Sequence, residues 1–105
     1  MRFTVAGALL DACVLGALSS RPAYGYELTR KIQAAVDVSE STLYPVLRRL
    51  LQNGMLESFD EPFDGRNRRY YRITGQGETT LQNAVSVWHT HKQSVEALLT
   101  GGIDS

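Results

Sequence analysis

The stretch 39–54, SESTLYPVLRRLLQNG, carries two kinds of side chain in a helical pattern. Leucine and valine recur at helical spacing and form one apolar stripe, so the polar and cationic residues share the other faces of the helix. Hydroxyl, phenol and guanidinium groups can contact base edges in a DNA major groove and the phosphates beside it. Taken alone, the stretch also fits an ordinary amphipathic helix with a solvated face, and the flanking residues decide between the two. The outward residues are Ser41, Thr42, Tyr44, Pro45, Arg48 and Arg49.

A second group of cationic residues follows within one short segment. Residues 55–61 and 68–73 have the alternation and β-favouring composition of strands, and 62–65 between them predicts a turn. The arginines therefore fall at or beside the tip of a hairpin, where they can reach a minor groove or flanking phosphates. The alternative is a surface loop whose arginines pair with neighbouring acidic side chains. The hairpin arginines are Arg66, Arg68 and Arg69.

The residues before the hairpin predict a helix-turn-helix. Ser39 is a suitable N-cap and Gly54 a suitable C′ residue, so the stretch between them is bounded as one helix. Residues 24–35 predict another amphipathic helix, and 36–38 form a short extended link between the two. Two helices joined so closely make a helix-turn-helix in which the second helix reads DNA. The first of the two turns Leu28, Ile32 and Ala35 inward and offers Tyr24 and Tyr26 to a phosphate backbone.

Both ends of the chain predict pairing with a second copy. Residues 3–18 predict a helix that is apolar nearly all round, so one face needs cover from outside a small domain. After the hairpin, Thr74 can cap a last helix. Gly75 and Gly77 weaken the first turn of that helix, so a hinge is expected there. From Leu81 onward a seven-residue pattern predicts a coiled-coil seam, which argues for dimerisation. The seam and dimer positions are Leu81, Ala84, Val85, Trp88, His91, Val95, Leu98 and Leu99.

Trp88 is the one tryptophan of the chain and lies in the middle of that seam. Its simplest role is to pack within a dimer core. A flat ring beside the small Ala84 at a symmetry axis can instead leave a slot that holds planar aromatic molecules by stacking. His89 and His91 point to different faces of a helix, so no metal site is predicted there.

Composition bounds the class of protein. A chain of 105 residues, 43% hydrophobic and 21% charged, is expected to form one globular domain with a modest core. Eleven basic and eleven acidic residues cancel, which counts mildly against a nucleic-acid partner, although the arginines are clustered. The single Cys13 suits a small buried hydrophobe in a reducing cytoplasm. The apolar N-terminus is interrupted by Asp11 and is too short for a membrane span, and motifs of enzymes and cofactors are missing.

Three blocks of sequence occur in order: YGYEL at 24–28, TLYPVLRRLLQNGMLES at 42–58, and GRNRRYYRIT at 65–74 with Gly77 following. Each block alone is a weak signal, but the combination resembles the PadR family of bacterial transcriptional regulators. The likeness extends over about 10–99, nearly the whole chain. The single helix after the hairpin is similar to the smaller PadR subfamily, and within it to a multidrug-responsive branch.

The resemblance implies a mainly α-helical fold with a small hairpin: a winged helix-turn-helix over 1–74, a dimerisation helix over 75–100 and a flexible tail over 101–105. It implies a cytoplasmic, homodimeric repressor that binds a pseudo-palindromic duplex and controls its own gene or a transporter gene. No cofactor, metal or membrane is implied. In the multidrug branch, planar hydrophobic compounds stack between two tryptophans, a role that falls here on Trp88. The other residues it places at that cavity are Ala84, Ala8, Asp11, Ala12 and Leu15. Leu81, His91 and Lys92, which neighbour Trp88 on the same helix, are further candidate ligand residues.

Two departures from the family pattern bear on these expectations. Gly75 stands where the family has a better helix former, which affects the geometry between hairpin and last helix. Lys92 stands where an acidic residue is expected, which predicts a weak preference for cationic compounds. Two alternatives remain from the sequence: a winged-helix module that binds proteins, favoured by the zero net charge, and a regulator in which Trp88 is packed shut.

Overall fold

The computed structural model describes residues 1–102 and is mainly α-helical with one small antiparallel sheet. β3 is the central strand, with β1 on one side and β2 on the other. A helix-turn-helix is followed by a hairpin and a long last helix, so the predicted fold class is confirmed. The elements are α1 (Gly7–Ala17), β1 (Ala23–Tyr24), α2 (Gly25–Ala35), α3 (Glu40–Gln52), β2 (Leu56–Phe63), β3 (Arg66–Ile73) and α4 (Gly75–Leu99).

One apolar core joins the first three helices to the base of the hairpin. Leu10, Leu28 and Leu43, from three different helices, are each about 1% exposed. Leu56 and Ile73 lie opposite each other in the β2–β3 register, and both are buried where the base of the hairpin meets the core. Because each buried leucine contributes about 1.5–3 kcal/mol, this core fixes α3 firmly in the fold.

Local sequence sets the limits of α3 as predicted. The hydroxyl of Ser39 accepts a hydrogen bond from the backbone N–H of Thr42 at 3.2 Å, which satisfies one donor of the first turn. Gly54 follows the helix with a φ of +76°, a conformation that favours glycine. The apolar stripe through Val46 and Leu47 faces the core, so the polar residues face outward.

The hairpin is longer, and its turn shorter, than the sequence predicted. β2 continues through Pro62 and Phe63, which pair with Asn67 and Arg66. The turn is confined to Asp64 and Gly65, whose φ values of +52° and +78° belong to the tight two-residue turns that suit antiparallel strands. Pro62 is tolerated because β2 is an edge strand.

The start of the first helix was predicted wrongly. α1 begins at Gly7, not at residue 3, and the preceding residues are extended. Thr4 forms a parallel bridge with Asp37, and the Arg2 guanidinium donates a hydrogen bond to the carbonyl of Gln33 at 2.9 Å. Apolar content alone predicted helix here, although Thr4 and its neighbours include β-branched residues that suit extended backbone.

One inward position of α2 was also predicted wrongly. Leu28 and Ile32 are buried, but Ala35 is exposed and borders an open groove between α1 and α2. The methyl group of alanine is too short to fill that groove, so Ala35 lies outside the core.

The first turn of α4 is docked on the base of the hairpin and is not the hinge that its glycines predicted. The hydroxyl of Thr74 accepts a hydrogen bond from the Gly77 N–H at 3.1 Å. Gly77 is buried, and a Cβ there would overlap the carbonyl oxygen of Met55 and lie 2.8 Å from Cγ1 of Ile73. Gly77 therefore permits close packing rather than motion.

The helices of residues 1–102 include none long and apolar enough to cross a membrane. α4 ends at Leu99, and Gly101 and Gly102 form a turn. The rest of the predicted flexible tail, 103–105, lies outside the described residues.

Candidate nucleic-acid interface and apolar cavity

The outer face of α3 presents Tyr44, Pro45 and Arg48 to solvent. Tyr44 and Arg48 are four residues apart, so they lie one above the other on one side of the helix. Pro45 lacks an N–H, which leaves the carbonyl of Ser41 without its usual helical donor. This surface therefore offers a phenol, a cation and a backbone acceptor, which are groups that base edges and phosphates can use.

The hydroxyls at the beginning of α3 hold one another. Ser39 Oγ lies 3.0 Å from Ser41 Oγ and 3.0 Å from Thr42 Oγ1. Ser41 and Thr42 were predicted to face DNA, and both are exposed, but their hydroxyls belong to the cluster that fixes the first turn.

Arg49 occupies a different place from Arg48. Its guanidinium donates a hydrogen bond to the carboxylate of Asp11 on α1, in an ion pair whose side chains are 47% and 27% exposed. The sequence placed Arg49 beside Arg48 on the DNA-facing surface and Asp11 in the cavity. The structure joins the two residues to each other instead.

The register of the hairpin, here called the wing, places its arginines on two faces. Successive strand residues point to opposite sides, so Arg66 and Arg68 lie on one face and Arg69 on the other. Arg69 lies directly across from Asp60, with Nε 3.6 Å from Oδ1. For Arg69 the predicted alternative of pairing with a neighbouring acid is what the structure shows. Arg66 is exposed and makes no ion pair within residues 1–102.

Aromatic rings hold Arg68 in position. Its Cζ lies 3.4 Å from the ring centre of Phe63 and 4.1 Å from that of Tyr24, within the range of cation–π attraction. Tyr24 also packs edge-on against Tyr70, with 5.7 Å between ring centres, so it braces the wing against β1, and its contact with a phosphate backbone stays a prediction. Tyr26 is 63% exposed and remains open to such a contact.

An apolar cavity of about 320 Å³ lies between α1 and α4. A second one, of about 300 Å³, adjoins it, and Trp88 lies in the walls of both. Trp88 is 40% exposed in the single chain, and 6.3 Å separates the centres of the Trp88 and His91 rings. Of the predicted ligand residues, those that line one or both cavities are Ala8, Ala12, Leu81, Ala84, Trp88 and His91.

Three predicted ligand residues do not line these cavities. Leu15 is fully buried in the core, because its side of α1 packs inside the domain. Asp11 forms an ion pair with Arg49, and the side chain of Lys92 is exposed to solvent outside the cavity walls. Leu9 lines both cavities and was missed, although it lies three residues before Ala12 and helical spacing would have found it.

Cys13 lines the second cavity. Burial raises the pKa of its thiol above the ordinary value, because a thiolate is poorly solvated there. Within the described residues it has no second cysteine and no metal-binding cluster beside it, so its role here is that of an apolar wall.

The remaining apolar residues of α4 are exposed in the single chain. Val85 is 45% exposed, Val95 37%, Leu98 67% and Leu99 73%, and the neighbouring Val87 is 69% exposed. Contiguous apolar surface of this kind usually marks an interaction site. It continues directly from the cavity around Trp88.

The helix-turn-helix, its cationic face and the wing define a winged-helix DNA-binding protein. The model of the transcriptional regulator PadR-like family matches residues 14–83, and the chain belongs to that family. It is therefore a DNA-binding transcriptional regulator and not an enzyme.

Individual relatives support this assignment. The chain is similar to the crystal structure of smu.1704 from Streptococcus mutans, with 30% identity, a TM-score of 0.88 and coverage of 100% of this chain and 99% of that one. The PadR-like transcriptional regulator BC4206 from Bacillus cereus is 32% identical, with a TM-score of 0.77 and coverage of 86% and 90%. Transcriptional regulator Rv3488 of Mycobacterium tuberculosis is 50% identical over 44 residues, which are 42% of this chain and 41% of that protein.

Proposed function

We propose that this regulator is a homodimeric repressor whose affinity for DNA falls when a planar hydrophobic molecule binds beside Trp88. The observation that carries the proposal is the position of Trp88. Its large flat ring is partly exposed between two apolar cavities and adjoins the apolar surface of α4. A ring in that position offers a stacking surface to an aromatic ligand.

DNA contact is assigned to α3 and the wing. α3 enters the major groove with Tyr44, Pro45 and Arg48, while Arg66 and Arg68 reach phosphates or the minor groove beside it. Each group contains an exposed arginine, Arg48 on α3 and Arg66 on the wing, Arg68 is partly buried, and the core described above holds α3 and the wing in fixed relation. Two copies of α3 in a dimer would lie one helical turn of DNA apart, roughly 34 Å, so the operator is a pseudo-palindrome.

The dimer is assigned to α1 and α4. The seven-residue pattern along α4 and the exposure of Val85, Val95 and Leu98 support a seam with a second copy. The face of α1 that carries Ala8 and Ala12 lies beside the same seam and would be covered with it. Such pairing brings two Trp88 rings close to one axis.

Induction is assigned to a change in the dimer geometry. A ligand between the paired Trp88 rings shifts the equilibrium only if it binds one arrangement of the two copies better than the other. The two α3 helices lie far from the axis, so a small rotation there changes their separation and weakens operator binding. We infer that the regulator acts in the cytoplasm, where its DNA is, and controls its own gene or a transporter gene that removes the inducer.

Two measurements test the proposal. A random pool of DNA duplexes is selected with the dimer, and the enriched sequence is expected to be a pseudo-palindrome. Trp88 fluorescence is then followed during titration with a planar acridine or bisbenzimide dye, and strong quenching that saturates near one dye per dimer is expected. An Ala84→Leu variant, which fills the cavity without touching α3, serves as the control and should bind the dye weakly.

Each part of the proposal has its own contrary result. Absence of an enriched sequence contradicts the DNA assignment. A blue-shifted emission that does not respond to dye contradicts the ligand site. Dye binding that leaves operator affinity unchanged contradicts induction.

A further inference from the structure

We propose that Asp11 and Arg49 are positioning residues that set the angle between α3 and the dimer axis, and so select the spacing between the two half-sites of the operator. The inference rests on the proposed function. It goes beyond that function because neither residue is required to touch DNA or ligand.

The ion pair connects two helices with different roles. Arg49 lies on the DNA-reading helix α3, and Asp11 lies on α1, between the cavity residues Ala8 and Ala12 in sequence. Within residues 1–102 the other three ion pairs lie inside the wing or at the beginning of α2. The Asp11–Arg49 pair is thus the ionic link between the proposed dimer face and the DNA-reading helix.

The apolar packing between α1 and α3 holds the helices together and favours a limited range of crossing angles. Leu10 and Leu15 on α1 belong to the same core as Leu47 and Leu50 on α3, and apolar attraction itself is not directional. A charge-assisted hydrogen bond has a preferred geometry, because donor, hydrogen and acceptor must align. The ion pair therefore adds a directional restraint within the range of angles that the leucine packing allows.

The position of Arg49 on α3 fits this role. A helix turns about 100° per residue, so Arg48 and Arg49 point in different directions from the same segment. Arg48 faces away from the buried stripe, whereas Arg49 lies closer to its edge and reaches across to α1. One adjacent arginine serves the DNA surface and the next serves the orientation of the helix.

Orientation of α3 determines operator spacing in a dimer. Each base pair added between half-sites moves them about 3.4 Å apart and rotates them by about 35°. A dimer whose two α3 helices are held at a fixed angle matches one spacing and rejects its neighbours. Without the ion pair that preference should relax, while the interactions within each half-site stay unchanged.

The test uses the full-length dimer and the duplex that the wild type selects from a random pool. Affinities are measured for that duplex and for versions with one base pair more or fewer between half-sites. D11N and R49Q should each lose about fivefold or more on the selected spacing and discriminate less between spacings, as expected for a coupled pair. The reversed pair D11R/R49D should regain discrimination. E96Q, which makes the same charge change as D11N on α4, should behave as wild type.

A phosphate-contact role for Arg49 predicts the opposite pattern. If Asp11 merely held Arg49 back from DNA, D11N would bind more tightly with a steeper salt dependence, and R49Q would weaken all spacings equally. Either result, or failure of D11R/R49D to regain discrimination, overturns the proposal. Thermal unfolding and dimer mass establish that each variant is folded. The conservative variants D11E and R49K keep the charges of the pair and should retain part of the discrimination between spacings.

A readout without DNA separates this inference from the proposed function. Spin labels at Gln52→Cys in a Cys13→Ser background report the distance between the two α3 helices. D11N should broaden the distance distribution, and D11R/R49D should narrow it again. If the wild type selects no duplex, the proposed function fails, whereas an unchanged distribution in D11N overturns the positioning role by itself.

Discussion

The guanidinium of Arg68 lies 3.4 Å from the ring centre of Phe63 at the far end of the wing. Phe63 is half-exposed and follows a proline at the end of β2, so its ring adds little to the core. Its main partner is the cation, which the ring of Tyr24 contacts as well. The wing therefore presents Arg68 already immobilised, and binding DNA need not order that side chain.

Replacement of Phe63 by leucine should weaken operator binding by about 0.5–1 kcal/mol, the attraction of a ring for a partly exposed cation. Leucine retains apolar volume but has no π face, so Arg68 keeps only its contact with Tyr24 and becomes more mobile. The measurement is a fluorescence anisotropy titration with the selected duplex, accompanied by the NMR line width of the Arg68 Nε–H. Phe63→Tyr keeps the ring and should match wild type; equal affinity of the leucine variant would show that the ring does not position the arginine.

Arg66 and Arg69 should contribute differently to the salt dependence of binding. Arg66 makes no ion pair within the described part of the chain, whereas Arg69 is already close to Asp60. R66Q should lower the slope of log affinity against log salt by about 0.9 for each phosphate that the variant no longer neutralises. R69Q should change the slope less, and D60N provides the matched change on the other partner. Similar slopes for R66Q and R69Q would assign both arginines to phosphates.

Arg48→Ala should cost about 1–3 kcal/mol of binding, concentrated on one base pair of each half-site. The reason is its outward position on α3, four residues after the exposed Tyr44. Affinities for single-base variants of the selected duplex check this, because the variant should stop distinguishing bases at that one position. A decrease spread evenly over all sequences would assign Arg48 to a phosphate instead.

Gly77→Ala should lower the free energy of unfolding by about 1–3 kcal/mol, since an added methyl group must displace the Met55 carbonyl or the Ile73 side chain. Gly75→Ala, one half-turn earlier, meets nothing within 4 Å and should be neutral or stabilise the helix. Denaturant unfolding at one fixed protein concentration compares the two. Equal effects would mean that the first turn of α4 is free of the hairpin base, as a hinge requires.

The sequence predicted those features that local chemistry determines. The Ser39 cap, the left-handed Gly54 and the buried stripe of α3 follow from residue types at helical spacing, and each is present in the structure. The turn was located approximately, because Pro62 near a turn signal was assigned to the turn although an edge strand accepts it.

Features that depend on contacts between elements escaped the sequence. Arg48 and Arg49 are identical residue types at adjacent positions. Their roles differ because Asp11, on α1, forms an ion pair with Arg49. The family resemblance placed Leu15 at the cavity, but Leu15 is buried in the core, and a helix that is apolar nearly all round does not show from its sequence which face packs inside the domain. Gly77 was interpreted only as a residue that weakens its own helix. The sequence does not show that the Met55 carbonyl, which lies outside α4, packs where a side chain of residue 77 would be.

The cavity beside Trp88 should bind a planar cationic dye and its uncharged isostere with similar affinity. Among the described residues that line it, none carries a carboxylate, and the nearby Asp11 is engaged by Arg49. Lys92, one turn beyond Trp88, adds a positive charge to that side of α4. The face of the Trp88 ring attracts a ligand cation, whereas desolvation and the charge of Lys92 oppose its binding, so the two dyes are expected to differ little in affinity.

Quenching of Trp88 fluorescence measures both affinities in the same buffer. Lys92→Glu reverses the nearby charge. It should raise the ratio of the affinity for the cationic dye to that for the uncharged dye by about threefold to tenfold, as expected for a partly screened charge near the site. Lys92→Gln, which removes the charge without reversing it, should fall between the two. A strong cation preference in the wild type, unaltered in Lys92→Glu, would mean that another negative group faces the ligand in the dimer.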